Sequence, residues 1–301
     1  MTRIATIPLQ NSMAVAIQRA QEGLARTQQQ IATGKKAQDY ADLGSAAPRV
    51  LSARSMLARQ QAQSSVGAQV GTTLSIYDAS LTAIDDAVSG LRTQMMTAIG
   101  TGQTTGLQAG IESAFLQFRN SLNTTERGVS LFGGGQTQDV AYRANTLADL
   151  VGTPTADLFG NDGVKASAEV AEGMSVRYGV LASDAGSGLS EAFRTLAEAG
   201  NWGATPTAAQ QTALNTALGQ IDSGLARMRA VSADNGRKQA EVETLTTRAQ
   251  DRAILWQDIV SRNEDADLAQ VAVDLTRQQT MLEASYSIFS KLSKLSLTAY
   301  L

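Results

Sequence analysis

The side chains that most often do chemistry are absent or scattered. The chain has no His and no Cys. The commonest general base, the commonest metal ligand and the thiol nucleophile are therefore missing, and with them any Ser/His/Asp triad and any Cys/His zinc site. What remains is carboxylate chemistry. Glu264, Asp265 and Asp267 form the densest acidic group. They lack the alternating Asp spacing and the late Glu of a calcium loop, so they read as the start of a helix, where carboxylates complement the dipole. Gly133-Gly134-Gly135 could cradle a phosphate, but no Lys-Ser/Thr pair follows, and a turn is the better reading. The basic residues Arg3, Arg19, Arg26, Lys35, Lys36, Arg49, Arg54 and Arg59 outnumber their acidic neighbours, yet only Tyr40 supplies an aromatic among them. Nucleic-acid binding favours interleaved aromatics, so these cations read as a solvated or partner-facing helix surface. No catalytic residue, cofactor or metal ligand is expected.

The elements that would position any site are more legible. Met13, Ile17, Ala20, Leu24, Thr27 and Ile31 alternate steps of four and three, a heptad seam that ends at Thr33-Gly34. A loop should span Lys35 to Ala47, and Pro48 can open a second helix. Leu74, Tyr77, Leu81, Ile84, Val88, Leu91, Met95 and Ala98 hold one phase. Extrapolated back to Val50, it gives a helix of roughly 75 Å at ~1.5 Å per residue. Its polar stretch at Gln60, Ser64, Gly67 and Gly71 should be its most adaptable part. A third helix follows on Leu107, Ile111, Phe115, Phe118 and Leu122.

From about 128 to 204 the chain turns rich in Gly, Asp and Thr. Residues 164–180 read as a hairpin turning at Glu172-Gly173, and a short helix over 189–199 leads out. Helical phase then returns on Leu214, Leu218, Ile221, Leu225 and Met228 and resumes at Val242. Because it survives across Asn235-Gly236, an unbroken helix with a costly Gly is expected there. A last helix carries Leu275, Leu282, Phe289 and Leu292 on one stripe.

Three regions follow: a helical segment 1–127, a β-rich insert 128–204 and a helical segment 205–301. The fold class expected is mainly α, with long antiparallel coiled-coil helices from both termini forming a rod and a small inserted β-rich domain. Only 5 % of residues are aromatic, which suits thin helices with narrow seams. The assembly seam would comprise Met13, Ile17, Leu24, Ile31, Leu74, Leu81, Ile84, Val88, Leu91, Leu275, Leu282, Phe289 and Leu292. The same heptads also suit the interior of a self-contained bundle. The start of the chain has no apolar run long enough for a signal peptide, and no apolar stretch is long enough to span a membrane. A net charge of −3 gives no global field for nucleic acid.

Several stretches resemble the flagellin family. Leu24 to Gly34, LARTQQQIATG, is similar to its first helix and Ser/Thr-Gly ending. Arg229 to Glu243 resembles its helix with an embedded Gly, and Ser261-Arg262 before Asp265-Ala266-Asp267-Leu268-Ala269 resembles its SR-x-x-DAD-x-A element. Arg3-Ile4, the run from Leu131 to Thr137 and the ending LEASYSIFSKLSKLSLTAYL are most similar to the branch that joins hook to filament. Asp39 to Leu43 departs from the family's Ser-x-Asp-Asp loop. The resemblance implies a structural subunit of the bacterial flagellum, exported without a cleaved signal and extracellular in place. It implies as partners further copies of the chain, another hook-associated protein, filament flagellin and a cytoplasmic export chaperone. Filament flagellin itself, and a secreted helical binding or effector protein, remain alternatives.

Overall fold

The computed structural model describes the backbone of residues 3–297 and the side chains of residues 11–291. It is mainly α with two small antiparallel hairpins. In order come α1 (Arg3–Thr33), α2 (Ala47–Thr101), α3 (Leu107–Leu122), β1 (Thr125–Glu126), β2 (Val129–Ser130), β3 (Ser167–Ala171), β4 (Met174–Arg177), α4 (Ala182–Glu198), α5 (Ala208–Glu264) and α6 (Leu268–Leu297). No helix among the described residues is long and apolar enough to cross a membrane. The chain divides into two compact units, residues 1–59 with 252–301, and residues 60–251.

The larger unit, 60–251, holds the main core. Leu81, Ile84, Val88, Leu91 and Met95 of α2 bury their whole stripe there. They share the core with Phe115 and Phe118 of α3, Phe193 of α4, and Leu214, Ile221 and Leu225 of α5. The few aromatics are not spread thinly but gathered here. Phe118 meets Tyr142 edge-on at 5.2 Å, Phe115 meets Phe193 at 5.5 Å and Tyr77 meets Phe132 at 5.0 Å. The low aromatic content therefore does not mean narrow seams throughout, because a few rings in one place fill a globular core. Tyr142 also shares a hydrogen bond with Ser190 at 2.7 Å, and burial pushes its phenol up to about 12.

Within this unit α2 and α5 run antiparallel, since Arg229 meets Asp85 while Gln239 meets Ser75. The hairpin β3–β4 turns at Glu172-Gly173 as expected, with Gly173 at φ +69°. It lays Val170 and Val176 against Val70 and Leu74 of α2 and Val242 and Leu245 of α5. This gives Gly67 of the polar stretch a packing reason. A Cβ on Gly67 would stand 2.1 Å from Thr246 Oγ1 and 3.2 Å from Val170 Cγ1. Gly67 leaves room first for Thr246 of α5 and then for Val170 of the hairpin.

Two boundaries differ from expectation. α4 starts at Ala182 rather than at 189, because Gly186 and Gly188 do not end it. A Cβ on Gly186 would press on Phe118 and Leu122, and Gly188 lies against Gly224, so both glycines allow close helix packing. The small hairpin β1–β2 also escaped the periodicity, being only two residues per strand and turning at Arg127-Gly128, both at positive φ.

α5 runs unbroken through Asn235-Gly236. Asn235 is 2 % exposed; its Nδ2 donates to the Leu74 carbonyl at 3.0 Å. Gly236 has helical backbone and nothing within 4 Å of a built Cβ. Gly236→Ala is therefore expected to raise the unfolding free energy by up to about 1 kcal/mol. Gly67→Ala should lower it by about 1–3 kcal/mol through overpacking. Thermal and urea denaturation of the two variants checks both signs.

Candidate assembly site

The smaller unit, 1–59 with 252–301, is built on a polar fastening between two turns. Gly34 ends α1 at φ +69°, its N–H donating to the Gln30 carbonyl at 2.8 Å. The chain then reverses through a 3-10 turn, Tyr40–Ala46, into α2. On the other side α5 ends at Glu264 and α6 begins at Leu268. The two turns join by main-chain bonds: the Lys36 N–H donates to the Glu264 carbonyl at 2.7 Å, and the Ala266 N–H to the Gly34 carbonyl at 2.9 Å.

Side chains complete the fastening. Glu264 is only 5 % exposed. A buried carboxylate needs both charge and hydrogen bonds to persist. Arg54 supplies a two-pronged contact, Nε to Oε1 at 2.6 Å and Nη2 to Oε2 at 2.5 Å, while stacking 5.8 Å above the Tyr40 ring. Lys35 adds its ammonium 3.5 Å from Glu264 and donates to Asp265 at 2.5 Å. Ser261 donates to the other oxygen of Asp265. The Arg54 hydrogen bond holds the Glu264 carboxyl below its ordinary pKa, and the Lys35 hydrogen bond does the same for Asp265.

This arrangement corrects the reading of the acidic group. Only Asp267 starts a helix, its Oδ1 accepting from the Ala269 and Gln270 N–H groups at 3.0 and 3.2 Å. Glu264 and Asp265 are partners for Lys35 and Arg54, two of the cations read as a solvated or partner-facing face. The cations and the carboxylates lie far apart in the chain, 210 residues in the case of Arg54 and Glu264. No periodicity links such positions; the available signals were basic excess near one end and the local acidic group Glu264, Asp265 and Asp267 near the other.

From this fastening α1 and α6 run back antiparallel. Thr27 Oγ1 donates to Gln278 Oε1 at 2.9 Å, and Gln21 Nε2 to the Tyr286 hydroxyl at 2.5 Å. Along α1, Met13, Ile17 and Leu24 are half-buried and Thr27 is buried. Ile31 is exposed, and the half-buried position beside it belongs to Gln30, whose Nε2 donates to the Lys36 carbonyl at 2.8 Å. Along α6, Leu275 is half-buried and Leu282 is 7 % exposed, whereas Phe289 is exposed at 36 %. The side chain of Leu292 lies outside the described residues. Leu74, Leu81, Ile84, Val88 and Leu91 belong to the larger unit, where their surface is taken up inside the subunit.

Sequence reasoning also missed a second apolar face on α6. Val273, Met281 and Ile288 are 62 %, 59 % and 49 % exposed. With Thr276, Thr280 and Ala284 they follow helical spacing on a side other than that of Leu275 and Leu282. Among the described residues no group of three acidic or metal-binding side chains is placed to hold a metal ion.

Glu264→Gln keeps the shape but removes the charge, and should cost about 1–3 kcal/mol of stability in the smaller unit at neutral pH. Glu264 and Asp265 both ionise more readily folded than unfolded. Their contribution is complete above the unfolded carboxylate range and is lost as pH falls through the lowered folded values, below about pH 4. The gap between wild type and Glu264→Gln should therefore shrink as pH drops from 7 to 3, measured by denaturant titration at each pH.

No protein-family model matches the chain, and no curated protein matches its sequence. Solved structures do match its fold. A protein assigned as a flagellar hook-associated protein of Vibrio parahaemolyticus aligns with TM-score 0.58 at 15 % identity, over 73 % of this chain and 97 % of that one. FlgL of Bacillus cereus aligns with TM-score 0.44 at 14 % identity, over 64 % and 98 %, a likeness too loose to carry argument. The mainly α fold with a small β insertion, which the flagellin-like sequence features implied, is thus shared over 73 % of the chain with a solved protein assigned as flagellar hook-associated.

Proposed function

We propose that this chain is a non-enzymatic structural subunit of the bacterial flagellum and that it joins hook to filament. One observation carries the reading. In a chain of this fold, α6 has one apolar face on α1 and a second, at Val273, Met281 and Ile288, that no described residue covers. A run of exposed apolar side chains on one helix face is a surface for a partner. The absence of Cys and His removes the commonest general base, the commonest metal ligand and the thiol nucleophile.

Assembly would proceed by coupled folding. The terminal pair is mostly half-buried, so neighbours offset the cost of ordering it. The partners would be further copies of the chain, another hook-associated protein and filament flagellin outside the cell, and an export chaperone before that. Export would use the flagellar channel, with no cleaved signal. The segment 128–204 would act as an insert less important for joining than the terminal helices.

Deletion of the gene followed by electron microscopy tests the reading. Intact hooks, with filament protein shed into the medium, are the expected result. Bare hooks with no filament protein secreted would assign the chain as the filament subunit instead. Unchanged flagella would refute the proposal. Leu282→Asp, which buries a charge between α6 and α1, should give the deletion phenotype while the protein stays soluble; Leu282→Met, similar in volume and polarity, should complement.

A further inference from the structure

A pocket of about 500 Å³ lies within the larger unit, and the flagellar reading gives it no role. That volume falls in the roughly 300–1,000 Å³ range of small-molecule sites. Three elements enclose it. α3 supplies Ile111, Phe115 and Glu112; the 3-10 turn Leu147–Leu150 supplies Leu147; the last turn of α4 and the chain after it supply Leu196 and Trp202. Ile111, Phe115 and Leu196 are core side chains, so the floor is apolar. Leu116 and Val151 also line it while half exposed.

The walls are held from behind. Asp149 accepts from the Asn145 and Thr146 N–H groups at 2.8 and 2.9 Å and fixes the 3-10 turn. Gln210 Nε2 donates to the Ala199 and Asn201 carbonyls at 3.2 and 3.0 Å. Thr104 donates to the Gly203 carbonyl through its hydroxyl and to the Ala204 carbonyl through its N–H, both at 2.8 Å. The Trp202 segment is thus pinned on both sides, and the pocket is formed before any molecule enters it.

Its polar groups select a charge. Among the described residues Glu112 is the one ionisable side chain that lines it, and no Lys or Arg does. Gln108 Nε2 donates to Glu112 Oε1 at 2.7 Å, a neutral partner that leaves the charge unmatched. The last turn of α4 adds the negative end of a helix dipole. The pocket therefore favours a cation and disfavours an anion. Trp202 is 7 % exposed, and its indole N–H has no hydrogen-bond partner among the described residues. A buried donor in that state is destabilising until an acceptor reaches it.

We infer that this pocket binds a small organic amine, with its apolar body on Phe115 and Leu196, its ammonium group at Glu112 and an acceptor oxygen at the Trp202 indole N–H. The site is built from the larger unit alone and does not depend on the flagellar reading.

Phenylalaninamide carries all three groups. Calorimetric titration of the full chain with it, at about pH 6 where its amino group is charged, tests the site. Saturable binding is expected. N-acetylphenylalaninamide, which lacks the charge, should bind more weakly by about threefold or more at low salt. N-acetylphenylalanine, an anion, should bind more weakly still. Glu112→Gln should remove the advantage of the charged amide over the acetylated one. Phenethylamine, which lacks the carbonyl, should bind more weakly than phenylalaninamide, and Trp202→Phe should erase that difference. The proposal is overturned by the absence of saturable binding at millimolar amide. It is overturned equally by a charged amide that binds no better than its acetylated form, or that keeps its full advantage in Glu112→Gln. Should Trp202→Phe fail to fold, the wild-type chain decides: equal affinities for phenylalaninamide and phenethylamine would overturn the assignment of an acceptor oxygen to the indole N–H.

Discussion

A carboxylate removed from water is the constraint on which the terminal region depends. Glu264, 5 % exposed, cannot remain there unless its charge is matched and both oxygens are bonded. Arg54 matches it in a two-pronged contact and Lys35 adds a second cation. Since Lys35 lies just past the end of α1 and Glu264 is the last residue of α5, satisfying this one group brings the α1–α2 turn to the α5–α6 turn. The main-chain bonds between Lys36 and Glu264, and between Ala266 and Gly34, then become possible. α1 and α6 leave that point side by side with their register already chosen. Their own apolar contacts, half-buried for the most part, would be a weak basis for choosing it.

The two units solve the problem of stability differently. The larger one gathers most of the aromatic side chains and buries its α2 stripe completely. Each such side chain contributes roughly 1.5–3 kcal/mol, so the core needs nothing from outside the subunit. The smaller one keeps its apolar residues half-covered and relies on charge and backbone bonds. That is a poor design for an isolated protein and a suitable one for a subunit whose terminal helices acquire neighbours.

Much of this was legible in the sequence, and the failures have a common cause. Long helices were readable because one period persists for many turns: α2 and α5 appear where the phase of Leu74–Ala98 and Leu214–Met228 places them. Gly236 inside α5 was readable because the phase continued past it, and the β3–β4 turn because Glu172-Gly173 sits between alternating residues. The Lys35–Arg54–Glu264–Asp265 cluster was not, because it is a long-range pairing of single charged residues with no repeat to reveal it. The second face of α6 was hidden for another reason. Val273, Met281 and Ile288 are apolar at helical spacing, but so are Leu275, Leu282 and Phe289, and a sequence cannot say which of two stripes the neighbouring helix takes. The early start of α4 at Ala182 was hidden because Gly186 and Gly188, which allow close helix packing, carry no apolar period.

If neighbours complete the α1–α6 pair on assembly, the Glu264 fastening is what chiefly holds that pair in the free subunit. Hydrogen–deuterium exchange of the verified monomer and of its assembled form tests this most directly. The account predicts that in the monomer residues 11–30 and 270–291 exchange much faster than the buried stretch of α2 around Leu81, Ile84 and Val88, and that assembly slows the terminal pair while leaving that stretch unchanged. Terminal helices as protected in the monomer as the α2 core, with no change on assembly, would contradict it.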